Sequence, residues 1–155
     1  SDSRPTDGGF DPRSTGNWTP MIGADSNLIA YLHLPRPKAD LADAVLLKDS
    51  HWWVPPLWRS EFRSILFAYM RTQGMDVATA DAHWAEALDH LRSTQKEPDP
   101  ASVLAKAVEA NLSAYDAEFV VLAEELGVRL VTSDQQVIKA FPKLAISPED
   151  FVMGS

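Results

Sequence analysis

The sequence predicts an α/β fold of three layers, with a central, mostly parallel sheet of four or five strands covered by helices on both faces. Three observations lead there. Short apolar runs alternate with longer segments of helical spacing from Met21 onward, the order of elements that a parallel sheet with crossover helices requires. The runs are continuously apolar instead of alternating with polar residues, as strands buried on both faces are. The 155 residues, 45% apolar and 23% charged, suffice for one domain with a layered core.

Each element has its own signal. Met21-Ile22-Gly23-Ala24 is a short apolar strand, and Asp25-Ser26-Asn27 caps a helix over residues 28–34 that Pro35 and Pro37 stop. A second helix over residues 39–48 carries Leu41, Val45 and Leu46 on one face. Residues 51–54 form a strand, because Trp-Trp-Val suits a pleated, half-buried surface. Trp52 and Trp53 then point to opposite faces, which leaves one of them for a partner surface. Pro55-Pro56 open a long helix whose apolar positions Leu57, Trp58, Phe62, Ile65, Leu66 and Tyr69 run to the stop at Gly74. Residues 76–91 repeat that pattern with Val77, Ala80, Trp84, Ala87, Leu88 and Leu91. Glu97-Pro98-Asp99-Pro100 breaks the chain before a helix over residues 101–110. A helix over 113–126 ends at Gly127, followed by a strand over 128–132, a short helix over 135–141 and a last strand over 144–146. A fifth strand has no visible signal, and the stretch from Ser93 to Pro100 offers none.

Composition narrows the function. The absence of cysteine excludes a disulfide scaffold, a cysteine nucleophile and thiolate-ligated zinc or iron–sulfur centres, and fits a reducing, cytoplasmic setting. No apolar run approaches the roughly 18–20 residues of a membrane helix. Residues 1–20, rich in Ser, Asp, Gly and Pro, lack the apolar core of a signal peptide and read as a flexible tail before a natural start at Met21. One domain over residues 21–155 is the simplest division. Fourteen basic against 22 acidic residues give a net charge of −8, so a nucleic-acid substrate would need a local basic patch or a bound metal. The four histidines, with no i, i+4 pair, form no zinc helix and read as surface or edge residues.

Doubly wound sheets bind ligands at the carboxyl ends of their strands. Asp25 and Asp134 each follow a strand directly, Asp116 lies in the first turn of its helix, and Glu61 in the second turn of the helix that Pro55-Pro56 open. With right-handed crossovers these positions share one edge of the sheet. Each has an ordinary reading too: Asp25 and Asp134 as N-caps, Asp116 as the acid of a capping box with Ser113, Glu61 as a partner of the helix dipole. Four such acids together crowd negative charge, which a hard divalent cation such as Mg²⁺ or Mn²⁺ would neutralise.

Three stretches carry a family resemblance. Ile22-Gly23-Ala24-Asp25-Ser26-Asn27-Leu28-Ile29, Val54-Pro55-Pro56-Leu57-Trp58-Arg59-Ser60-Glu61, and Leu112-Ser113-Ala114-Tyr115-Asp116-Ala117-Glu118-Phe119 with the later Thr132-Ser133-Asp134 resemble PIN-domain nucleases, most closely the VapC-type toxins of bacterial toxin–antitoxin pairs. The likeness spans Met21 to about Phe151, and the acids come in the family's order. It implies a PIN-like α/β/α fold and a ribonuclease dependent on Mg²⁺ or Mn²⁺. Asp25, Glu61 and Asp116 would be the primary catalytic and metal ligands, with Asp134 completing the set directly or through water. Thr132 and Ser133 would orient carboxylates or water, with Asn27 a weaker candidate whose ordinary role is helix capping. Arg36, Lys38, Arg59 and Arg63 are weaker candidates for phosphate contacts, against a reading as solvated helix faces. The expected partners are RNA, a second copy of the chain and a VapB-like antitoxin, for whose helix the aromatic segment 57–69 is a candidate groove. A phosphoacceptor receiver domain fits less well: only Asp25 follows the first strand, and Lys143 precedes the last. An inert PIN-fold binding module would have lost acids that are all present here. Structure-specific DNA nucleases use similar acids within longer chains.

Overall fold

The computed structural model describes residues 21–35 and 37–154, so the expected tail over residues 1–20 and Arg36 lie outside the described residues. Strand β1 (Met21–Ala24) is flanked by β2 (His51–Trp53) and β3 (Leu130–Val131), and β4 (Ala145–Ile146) completes the sheet beyond β3. All three pairings are parallel, with Ile22 opposite Trp52, Ala24 opposite Val131 and Leu130 opposite Ala145. The connections carry α1 (Ser26–His33) and α2 (Ala39–Lys48) before β2; α3 (Trp58–Gln73), α4 (Val77–Leu91), α5 (Pro100–Ala110) and α6 (Ala114–Leu126) before β3; α7 (Gln135–Ala140) before β4; and α8 (Pro148–Met153) after it. The result is the three-layer α/β/α arrangement that the order of elements predicts.

The side-chain alternation of β1 divides the core into two layers. Ile22 and Ala24 face α1, α3 and α4 together with Trp52, Val54, Trp58, Phe62, Leu91 and Val131. Met21 faces the other side, with Phe119, Val120, Leu122, Ala123 and Leu126 of α6 and with Leu130, Val137 and Ala145. Gly23 lies on that second face, where a Cβ would stand 3.4 Å from both Ala123 Cβ and Leu130 Cδ1. The missing side chain lets α6 sit close against the strand, which explains a glycine in so short a strand. Trp58 is fully buried and stacks on Trp84, ring centroids 5.3 Å apart, so both behave as the helical periodicity predicts.

Several expectations need correction. Helix α1 begins at Ser26, two residues earlier than expected, because the Asp25 side chain accepts the Leu28 N–H and acts as the cap. The segment after α4, which shows no strand pattern, contributes one parallel bridge: the Val54 N–H donates to the Thr94 carbonyl and the Lys96 N–H to the Val54 carbonyl, both at 3.0 Å. Helix α8 was not expected, although Ser147 caps it by accepting the Asp150 N–H and Pro148 opens it. Trp52 is fully buried, with its indole N–H donating to the Asp49 carbonyl, and Trp53 is half-buried against the second core layer, so neither is fully exposed. Of the histidines only His51 is exposed. His33 and His90 are half-buried with ring nitrogens 3.3 Å apart, and His83 is half-buried as well. Helix periodicity puts the pair on facing edges of α1 and α4, a long-range contact invisible along the chain. Among the described residues no helix is long and apolar enough to cross a membrane.

Candidate active site

Four separate elements deliver the four acids to one place. Asp25 stands at the end of β1, Glu61 in the first turn of α3, Asp116 in the first turn of α6 and Asp134 just beyond β3. All four line one cleft of about 320 Å³, together with Ser26, Asn27, Ser64 and Thr132 and an apolar wall that includes Ile65, Phe119 and Val137. Glu61 is therefore a turn earlier in its helix than expected. The prolines precede α3 instead of forming its first turn, and their carbonyls accept the N–H groups of Trp58 and Arg59.

Two of these acids, Asp25 and Asp134, also cap helices. Asp25 caps α1 through Oδ1, which accepts the Leu28 N–H at 2.9 Å, while Oδ2 accepts the Thr132 hydroxyl at 2.6 Å and the Ser133 N–H at 3.4 Å. Thr132 is almost fully buried, and its hydroxyl also accepts the Asp134 N–H at 3.1 Å, so one side chain ties two acids. Asp134 caps α7 through Oδ1, which accepts the N–H groups of Gln136 and Val137. Ser113 caps α6 by accepting the Asp116 N–H, but the return bond of a capping box, from the Ser113 N–H to the acid, is absent among the described residues. Glu61 accepts a 2.6 Å hydrogen bond from the hydroxyl of Ser26.

Burial raises the carboxyl pKa of Asp25, Glu61 and Asp116 above the usual range, and their like charges add to the rise. Hydrogen bonds from Thr132 and the Leu28 and Ser133 N–H groups oppose the effect at Asp25, where the charge of Asp134 raises it. At Glu61 the Ser26 hydroxyl opposes it, and Asp116 and Asp25 raise it. At Asp116 the charge of Asp134 raises it and Ser113 opposes it. These are sites that ionise more readily when a cation is supplied. The donor set, all oxygen and all anionic, fits a hard divalent ion and not a thiophilic one. Among the described residues no group of three or more His, Asp or Glu side chains is already gathered into a set that could hold a metal ion; the acids line the cleft and are not closed around a point.

The remaining predicted residues are placed less centrally. Asn27 lines the cleft but is an exposed residue inside α1; capping belongs to Asp25 instead. Ser133 contributes its N–H to Asp25, and its buried hydroxyl has no partner among the described residues. Arg59 and Arg63 are exposed on α3 and do not line the cleft: Arg59 donates to the Gln95 side chain at 3.1 Å, and the Arg63 guanidinium lies 4.5 Å from the centroid of Trp84. Lys38 pairs with Glu149 at 3.6 Å and lies over Tyr31. One residue carries more of the site than its sequence signal suggests: Ser26, directly after Asp25, lines the cleft and bonds Glu61. Glu118, two residues after Asp116, has a carboxyl pKa raised by burial and by the charges of Glu97 and Glu61, but it does not line the cleft.

The chain is similar to Ribonuclease VapC3 of Pyrobaculum aerophilum, with 27% identity over 124 residues, which are 77% of this chain and 94% of that protein. Its fold is similar to the crystal structure of PAE2754 from the same organism, with a TM-score of 0.69, 26% identity, and coverage of 87% of this chain and 88% of the other. The model of the PIN domain family matches residues 24–144, a span that opens one residue before Asp25 and contains all four acids. The chain belongs to the PIN domain family.

Proposed function

We propose that the protein is a toxin-type endoribonuclease that hydrolyses RNA phosphodiester bonds with Mg²⁺ or Mn²⁺. One observation carries the reading: Asp25, Glu61, Asp116 and Asp134, drawn from four elements far apart in sequence, line a single cleft. Membership of the PIN family and the likeness to a protein named as a VapC ribonuclease support nuclease chemistry at family level. Asp25, Glu61 and Asp116 would hold the metal, with Asp134 joining directly or through water. A divalent cation bound there would supply a water of lowered pKa and would offset charge on the phosphate and the leaving oxygen. The chain's own contribution is positioning. Thr132 fixes one oxygen of Asp25 while the α1 cap fixes the other, so that carboxylate cannot swing away from the cleft. The acids also repel an unaccompanied phosphate, which makes the cleft selective for substrate that arrives with a cation.

The reading extends to partners and setting: RNA as substrate, a homodimer, a cognate VapB-like antitoxin that neutralises the enzyme, and action in the cytoplasm. A basic side chain from such an antitoxin, entered among the four acids, would compete with both cation and phosphate. The test is cleavage of a labelled total-RNA pool in Mg²⁺ or Mn²⁺ by the wild type and by Asp116→Asn. Discrete, EDTA-sensitive products should fall at least about 100-fold in the variant, as losses of metal ligation do, with the circular dichroism spectrum unchanged. Equal cleavage by both proteins, or cleavage that persists in EDTA, overturns the proposal.

A further inference from the structure

We propose that Ser26 is a positioning residue for Glu61: its hydroxyl holds Oε1 and leaves Oε2 as the oxygen that meets a divalent cation. The inference rests on the metal-dependent reading of the cleft and adds to it a residue that selects which oxygen is offered.

Ser26 is one of the few buried polar residues among those described, 7% exposed. It sits in the first turn of α1, where serine usually serves as a cap, but that task belongs to Asp25, whose Oδ1 accepts the Leu28 N–H. The hydroxyl is directed elsewhere, to Glu61 Oε1 on α3 at 2.6 Å, across 35 residues of sequence. A hydroxyl can donate its proton to an ionised carboxylate, and at 2.6 Å this is a short, charge-assisted bond. Glutamate has three side-chain torsions and loses substantial rotamer freedom when it is fixed. A glutamate already tied at one oxygen meets a cation with much of that loss behind it.

The arrangement has a counterpart at Asp25. Thr132 donates to Asp25 Oδ2, also at 2.6 Å, and Asp25 is the neighbour of Ser26 in the chain. The two adjacent residues thus act in opposite senses: Asp25 receives a hydroxyl from the end of β3, and Ser26 gives one to α3. Through this dipeptide the end of the strand, α1 and α3 are tied together at the cleft.

A Mn²⁺ titration read by the electron paramagnetic resonance of the free ion tests the assignment without reference to RNA cleavage. Ser26→Ala should weaken Mn²⁺ binding about tenfold, the range expected when a partner of a metal ligand is removed. Ser26→Thr and Ser26→Val have nearly the same shape and differ by the hydroxyl; threonine should bind as the wild type does, and valine should be weakened as alanine is. The double variant Ser26→Ala/Glu61→Gln should bind no more weakly than Glu61→Gln alone, because Ser26 acts only through Glu61. Equal binding by the threonine and valine variants, or additive losses in the double variant, overturns the role of Ser26 and leaves the metal site standing provided Glu61→Gln is weakened. Wild type and Glu61→Gln that bind Mn²⁺ equally, or not at all, overturn the metal reading and the role of Ser26 with it. Thermal unfolding without metal, run on each variant, confirms that the proteins compared are folded.

Discussion

At Asp25 a single side chain closes a strand, starts a helix and lines the cleft, because its two oxygens have different partners. Asp116 has no such double duty: its helix is capped by Ser113, and its half-buried carboxyl bears the charge of Asp134. Removing that charge should therefore cost activity and gain stability. Asp116→Asn should stabilise the metal-free protein by roughly 0.5–1 kcal/mol, the scale of a half-buried carboxylate's burial cost with a like charge beside it, both partly screened by solvent. The sign follows from the raised carboxyl pKa. A native group that holds its proton more tightly than the unfolded chain destabilises the fold when ionised, so the variant's advantage is fully present above the raised native value. It fades as pH falls through that value and is gone below the unfolded 3.8. Urea unfolding of both proteins in EDTA at pH 7 and near pH 4 measures the difference; a variant less stable at pH 7 would mean that Asp116 contributes to the fold by contacts other than charge.

At the scale of elements, α1 and α4 meet through imidazoles. His33 and His90 approach within 3.3 Å, the His33 ring lies edge-on to Phe62, and His90 lies against Trp52. Burial, with the charges of His90 and His83, pushes the His33 pKa down to about 4, and burial lowers that of His90 as well. The unfolded chain binds these protons first, so the packing is fully stable above about pH 6.5 and weakens as pH falls toward 4. A shift of that size is worth about 3 kcal/mol at 1.36 kcal/mol per pH unit, and screening at a half-buried ring reduces it to roughly 2. His33→Gln keeps a hydrogen-bonding side chain without the titration, so the loss of urea midpoint between pH 7 and pH 4.5 should be distinctly smaller in the variant than in the wild type. Equal losses would place the acid sensitivity elsewhere. This contact also marks how far the sequence can be read. Apolar spacing and capping residues reveal helices because their signals lie within a few turns, so α3, α4 and α6 and their glycine stops at Gly74 and Gly127 were legible. The acids were legible for the same reason, each standing next to a strand end or a helix start. The His33–His90 pair and the Ser26–Glu61 bond join positions 57 and 35 residues apart, and no local pattern encodes them. The Val54–Gln95 bridge lacks the apolar alternation of a strand, whereas α8 carries a local signal in Ser147-Pro148, a cap followed by proline in the first turn.

At the scale of the whole molecule, charge would decide how the proposed ribonuclease receives RNA. The chain carries −8 overall, and the cleft lined by four acids adds local repulsion to that global term. The basic residues nearest in sequence to the acids are committed to neighbours: Arg59 to Gln95, Arg63 to the face of Trp84. Both remain exposed and on the helix that carries Glu61, so each can serve a phosphate without leaving its neighbour. Lys38 is held by Glu149, on α8. Attraction to RNA should then come from few cations, and its salt dependence should be shallow. For single strands the slope of log affinity against log salt is about −0.7 per phosphate neutralised, so two arginines predict a slope of about −1.4. The measurement is RNA binding by the Asp116→Asn protein, which the proposed function makes cleavage-deficient, at fixed Mg²⁺ over a range of KCl. Arg59→Ala and Arg63→Ala should each flatten the slope by about 0.7, while Lys38→Ala should leave it unchanged. A slope steeper than about −3 would require a basic face that these two arginines do not supply, and an effect of Lys38→Ala equal to theirs would place the RNA path across α2 and α8 instead of along α3.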